Sequence, residues 1–263
     1  MAVFAVVVLI FSKKANFAQF EGNHCAFLFI LTYNSEILCK FASDLIKLFK
    51  FMIKSVITGD LVNSTNIAAK WRQTVLDTLN VCVADFLPLT LCNLEMYRGD
   101  SFQIVVDKPD YALAVAIALR AKLKAMTPSK QQLWDARLSI GIGDISFESD
   151  NIVTSDGEAF RLSGRSFDNI GKKRLSISTT WSDFDKDMEL VTRFADDIIT
   201  SWTAKQAKVV YQAILFPKLQ KDLAEDLGMT RQNFNYHWSS AKGQLILDYV
   251  EYFKSLIAKY NMQ

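Results

Sequence analysis

The run Ile53-Lys54-Ser55-Val56-Ile57, apolar at Ile53, Val56 and Ile57 and polar between, reads as a strand ending at Gly59. A helical spacing follows. Ile67, Trp71, Val75 and Leu79 share one face of a helix predicted over Asn66 to Asn80. Leu91 to Tyr97 and Phe102 to Asp107 are β-like runs separated by Arg98-Gly99-Asp100-Ser101, the length of a hairpin turn. Pro109 opens an Ala- and Leu-rich helix from about Asp110 to Lys124, as a proline in the first helical turn does. Asp135 to Phe147 reads as a strand through Leu138, Ile140, Ile142 and Ile145; a helix near Glu158 to Ile170 and a strand from Arg174 to Ser178 follow. The order strand–helix–strand–strand–helix–strand predicts an α+β fold, a ferredoxin-like antiparallel sandwich with its helices on one face.

A long amphipathic helix, about Asp185 to Trp202, links this unit to a helical tail. In the tail a short helix carries Leu223, Ala224 and Leu227, and Gly228 supplies the left-handed residue that ends it. Thr230 caps a second helix burying Phe234 and Trp238. That is the helix-turn-helix pattern of an all-α domain over residues 203–263, with 181–202 as linking helix and 52–180 as the sheet domain. Thr230, Arg231, Gln232, Asn233, Asn235, Tyr236 and His237 then lie on the recognition helix, where Arg suits guanine and Asn or Gln suits adenine. Lys218, Lys221 and Lys242 are candidate phosphate contacts. The charge excess of the tail is small, so a protein-docking module on the same helices is the competing reading.

Residues 1–51 differ from the rest. Met1 to Phe11 is an apolar run too short for the roughly 20 helical residues that span a bilayer, and Lys13-Lys14 follow it rather than precede it. The leading expectation is a misassigned start with translation beginning at Met52; a membrane-associating extension is the alternative. Half of the 263 residues are hydrophobic and 22% are charged, which suits a sizeable core and excludes global disorder. The net charge of +2 carries no argument about partners. Cys25, Cys39, Cys82 and Cys92 show no Cys-x-x-Cys spacing and predict reduced thiols in a cytoplasmic protein.

Histidine occurs only at His24 and His237, so chemistry in the sheet domain falls to carboxylates. Two Gly-Asp dipeptides end β-like runs, Gly59-Asp60 and Gly99-Asp100, and a glycine-flanked arginine follows in Leu162-Ser163-Gly164-Arg165. Two carboxylates at one point can hold Mg²⁺ or Mn²⁺, and two such ions flank a reacting phosphate. Leu61 offers a carbonyl, and Asn63, Ser64 and Thr65 lead to a helix N-terminus that favours phosphate. Taken singly, each Gly-Asp is more often a turn, and Arg165 an ordinary surface charge. Arg98, Asp144 and Asp168 are weaker candidates.

The stretches Val56-Ile57-Thr58-Gly59-Asp60-Leu61-Val62-Asn63-Ser64, Arg98-Gly99-Asp100-Ser101-Phe102 and Phe160-Arg161-Leu162-Ser163-Gly164-Arg165 resemble the SatD family of bacterial proteins. They are similar, more distantly, to class III nucleotidyl cyclases, as is Ala136-Arg137-Leu138-Ser139-Ile140-Gly141-Ile142-Gly143. The resemblance covers about Met52 to Ser178. It implies Asp60 and Asp100 as metal carboxylates and Arg165 as a transition-state arginine, in a homodimer whose active site takes the arginine from the other subunit. The chain departs from the cyclase pattern at Arg161, where that pattern has a ribose-contacting asparagine, and at Met96, near its base-recognising lysine. Binding of a nucleotide is thus better supported than its cyclisation. The expectation is a cytoplasmic regulator that binds nucleotide, divalent metal and DNA; an active nucleotidyl cyclase or nucleotidyltransferase is the alternative.

Overall fold

The computed structural model describes residues 53–129, 133–147, 152 and 155–261. The expectations for the leader, for the Met52 start and for Cys25 and Cys39 lie outside them. The elements in order are β1 (Ile53–Leu61), α1 (Ala69–Asp85), β2 (Cys92–Met96), β3 (Ser101–Val106), α2 (Ala112–Ala125), β4 (Ala136–Phe147), β5 (Asp156–Gly157), α3 (Glu158–Asp168) and β6 (Leu175–Thr179). The helices α4 (Ser182–Ser201), α5 (Ala204–Leu215), α6 (Gln220–Asp226), α7 (Arg231–Ser240) and α8 (Gly243–Asn261) follow.

The fold is mixed α/β. Its sheet runs β2-β3-β1-β4 with antiparallel neighbours, and β6 joins the far side of β4 in parallel. That parallel pair follows from the chain path: α3 intervenes between β4 and β6, and a helical crossover returns the next strand in the same direction. Strand alternation sends Ile57, Phe102, Ile104, Leu138, Ile140 and Ile142 to one face, in a core shared with α1 and α2. The opposite parity faces α3, which corrects the expectation of helices on a single face. Val56 and Val105 meet Ala159 there, and Thr58 Oγ1 lies 2.9 Å from Ser163 Oγ. Close approach explains the glycine: a Cβ on Gly141 would stand 2.2 Å from the Ala159 carbonyl oxygen.

Helix α2 is buried on nearly every side, including Arg120 and Lys124. A helix apolar all round needs partners all round, and α2 lies between the sheet and α5. Lys122 Nζ stands 4.3 Å above the Tyr211 ring of α5. Farther along, Thr192 and Tyr249 share a 2.7 Å hydrogen bond between α4 and α8, and Trp202 Nε1 donates to the Ala241 carbonyl. The sheet and tail therefore share one continuous core, and the described residues form one compact unit.

Helices α6 and α7 are joined by the turn Leu227–Thr230, in which Gly228 takes φ +64°. Thr230 Oγ1 accepts from the Asn233 N–H, capping α7, and Phe234 and Trp238 are buried. Among the described residues no helix is long and apolar enough to cross a membrane.

Candidate functional site

The β1·β3 ladder sets Asp60 opposite Ser101, and the Leu61 N–H donates to the Asp100 carbonyl at 3.0 Å. The two Gly-Asp dipeptides thus meet at one corner of the sheet. Asp60 has the parity of Val56 and Thr58, so its side chain belongs to the face covered by α3. Gly59 turns the other way: a Cβ there would stand 2.6 Å from Leu138 and 2.7 Å from Phe102. This glycine serves core packing. Around Gly99 a Cβ would meet open space.

Neither carboxylate is bare. Asp100 accepts from Ser64 Oγ at 2.6 Å and from Ser101 Oγ at 3.4 Å. Asp60 accepts from Arg137 Nε at 3.0 Å and from Arg137 Nη2 through its second oxygen. Arg137 stands directly opposite Asp60 in the β1·β4 register, an opposite-charge cross-strand pair. The hydrogen bonds to Asp60 push the guanidinium's proton affinity further up, against the effect of burial. Its Cζ lies 5.7 Å from the centre of the Phe167 ring, at the C-terminal end of α3. Tyr97 borders the same corner. Burial raises its hydroxyl above the ordinary value, and the charges of Asp60 and Asp168 add to the rise.

The other expected site residues are placed as follows. Asn63 is exposed and left-handed, with φ 51°, and its carbonyl accepts from the Asn66 N–H. Ser64, Thr65 and Asn66 form a 3-10 turn, so α1 begins at Ala69 and not at Asn66. The helix N-terminus expected beside the corner therefore stands three residues farther on, and Ser64 approaches Asp100 by its hydroxyl. Arg165 is exposed on α3, two residues from the Ser163 that faces Thr58, and has no carboxylate partner among the described residues. Arg161 is exposed and pairs with Glu158 and Asp156, both at 3.1 Å. Arg137, which the sequence offers only as part of a strand motif, is the arginine in contact with Asp60. Its signal was parity: within β4 it falls out of phase with Leu138, Ile140 and Ile142, on the face shared by Asp60.

On α7, Arg231, Gln232, Asn233 and Tyr236 are exposed, whereas Asn235 and His237 are half-buried. Burial and the nearby Lys205 hold the His237 imidazole below its ordinary value. Lys218, expected as a phosphate contact, instead pairs with Asp226 at 2.7 Å. A cavity of about 460 Å³ lies among Phe86, Tyr111, Phe216, Phe234 and Trp238, and shares no wall with the Gly-Asp corner.

Among the described residues no three His, Cys, Asp or Glu side chains gather to hold a metal. Mg²⁺ is commonly bound by one or two carboxylates with water and substrate phosphates supplying the rest. The carboxylates at this corner, Asp60 and Asp100, are of that donor type.

No family model matches the chain, and no curated protein matches it. The SatD resemblance therefore rests on the motifs alone. Among solved structures, the chain is similar to a bacterial light-regulated adenylyl cyclase at 12% identity and a TM-score of 0.32. The match covers 57% of this chain and 56% of that one, a likeness too distant to argue from.

Proposed function

We propose that the chain is a SatD-like bacterial regulator. In this reading the Asp60–Asp100 corner takes a nucleoside polyphosphate with Mg²⁺ or Mn²⁺, and α6 and α7 bind DNA. The observation that carries the nucleotide part is the Leu61 N–H bond to the Asp100 carbonyl, which sets the two aspartates at adjoining strand ends. A divalent ion between those carboxylates would neutralise polyphosphate charge. Ser64 and Ser101 orient Asp100, and Arg137 provides a planar guanidinium at the place where phosphate oxygens would gather. Arg165, exposed and without a carboxylate partner among the described residues, suits a contact made across a homodimer.

For DNA, the support is the split of α7 into a buried aromatic face and a face exposing Arg231, Gln232 and Asn233 in its first turn. Two such helices in a dimer would read half-sites at a fixed spacing. A chain of hydrogen bonds runs from the corner to α4. The Val62 N–H donates to the Asp135 carbonyl at 2.9 Å, and Asp135 is tied through Arg120 to Asp196 on α4.

Calorimetry with each nucleoside triphosphate and Mg²⁺ tests the reading, with Asp60→Asn and Asp100→Asn as comparison. Binding lost in both variants supports it; equal binding in all three proteins overturns it. Gel shift with and without nucleotide tests the coupling, which fails if DNA affinity is unchanged. Chromatography of the same incubations separates the sensor from its rival. A cyclic or linear nucleotide product that disappears in the Asp60 and Asp100 variants would make the protein an enzyme.

A further inference from the structure

We propose that Arg137 is an internal counter-ion that occupies the metal position on Asp60 until a polyphosphate draws it away. This rests on the metal–nucleotide reading of the corner and adds to it a residue with two alternating partners. The guanidinium engages both oxygens of Asp60, the same oxygens a divalent ion would need. A cation approaching Asp60 must therefore displace two charge-assisted hydrogen bonds.

Arg137 is placed to yield. Its side chain is 40% exposed whereas that of Asp60 is 16% exposed, so the arginine can leave toward solvent while the carboxylate stays. The Phe167 ring, 5.7 Å away, offers a surface along which a guanidinium keeps favourable contact as it moves. What it lacks after leaving Asp60 is a second anion. A polyphosphate held by metal at Asp60 and Asp100 supplies one, and a planar guanidinium grips phosphate oxygens in the bidentate manner it used for the carboxylate. Metal alone is thus opposed by Arg137, and metal with polyphosphate is assisted by it. The same residue makes the two ligands cooperative, and that coupling is reciprocal between them. The structure does not require Arg137 for the core: it lies on the α3 face, in a strand whose other face carries Leu138, Ile140 and Ile142.

The experiment is a pair of titrations on the full chain and on Arg137→Gln. Free Mn²⁺ is followed by electron paramagnetic resonance without nucleotide, and ATP and GTP binding by calorimetry at saturating Mn²⁺. The expected result is opposite movement. Arg137→Gln binds Mn²⁺ alone roughly fivefold more tightly, the worth of a partly exposed ion pair. It binds triphosphate about tenfold more weakly, within the span of a lost coupling. A merely structural role would weaken both. Lys208→Gln removes one positive charge from an exposed position on α5, outside the corner, and leaves Mn²⁺ affinity within about twofold, since a distant exposed charge is screened. Movement in the same direction, no movement, or an equal effect in Lys208→Gln overturns the proposal. If Asp60→Asn abolishes Mn²⁺ uptake while Arg137→Gln changes nothing, the metal site stands and the counter-ion role falls. If none of the proteins takes up Mn²⁺, both fall together.

Discussion

Arg120 donates from Nε and Nη2 to the two carboxylate oxygens of Asp135, at 2.9 and 3.0 Å, with both side chains at most 1% exposed. Around that pair stand Lys124, whose Nζ lies 3.3 Å from Asp135, Arg174 at 2.8 Å, and Asp196, which accepts from Arg120 Nη1. Burial lowers the Lys124 ammonium, with Asp135 pulling the other way. Removing one member strands buried charge. Asp135→Asn is expected to cost about 3–5 kcal/mol, read by urea unfolding with an unchanged slope.

The same carboxylate sets an acid limit. Burial pushes Asp135 up, but Arg120, with Lys124 and Arg174, outweighs it and holds the carboxyl at about 2 against an ordinary 3.8. A folded value below the unfolded one gives stability that is whole above the ordinary value and lost as pH falls toward the folded one. Unfolding free energy should therefore drop between those two values in the wild type. In Asp135→Asn that part of the slope should be missing.

Two glycines predict opposite outcomes. Gly141→Ala would place a Cβ 2.2 Å from the Ala159 carbonyl oxygen and 2.4 Å from the Ser163 nitrogen, both backbone atoms of α3. A loss of about 1–3 kcal/mol or more is expected, with a lower Tm, because a packed helix must shift. Gly164→Ala, inside α3 with nothing within 4 Å, should gain roughly 0.5–1 kcal/mol from helix propensity. Unchanged nucleotide binding in Gly164→Ala would show that the glycine before Arg165 has no ligand role.

The thiols of Cys82 and Cys92 are buried, and burial pushes each up to about 12. In a Cys25→Ser/Cys39→Ser background neither should react with a disulfide reagent at neutral pH until the chain unfolds. The labelling rate should follow the unfolding rate. Fast labelling of the folded protein would contradict the packing.

On α7, Phe234 is wholly buried and Tyr236 is 67% exposed. Phe234→Ala should cost about 3–5 kcal/mol, and Tyr236→Ala should stay within about 0.5 kcal/mol. If α7 reads DNA, Tyr236→Ala and Arg231→Ala lower affinity in gel shift while melting like the wild type. A docking helix would show no such loss.

Much of the chain was legible because its signals are local. The apolar positions of Ile53–Ile57 marked β1, Gly228 and Thr230 marked the turn and cap before α7, and the two Gly-Asp pairs marked strand ends. Short-range rules also misplaced boundaries: α1 starts at Ala69 because Ser64, Thr65 and Asn66 close a 3-10 turn first. The length of α2 was readable from its alanines and leucines. That Arg120 and Lys124 point inward was not, because their acidic partners, Asp135 and Asp196, come from β4's approach and α4.

What the sequence determined by itself is most elements of the sheet domain, the long helix after it, the turn and cap before α7, and the two Gly-Asp turns, since period, turn chemistry and capping act over a few residues. Tertiary structure decided which groups those aspartates meet. Asp60 and Arg137 are 77 positions apart and become partners only through the β1·β4 register. A shift of one residue in that register would send Arg137 to the apolar face. The site's arginine is thus a consequence of pairing between distant strands, which no local pattern encodes.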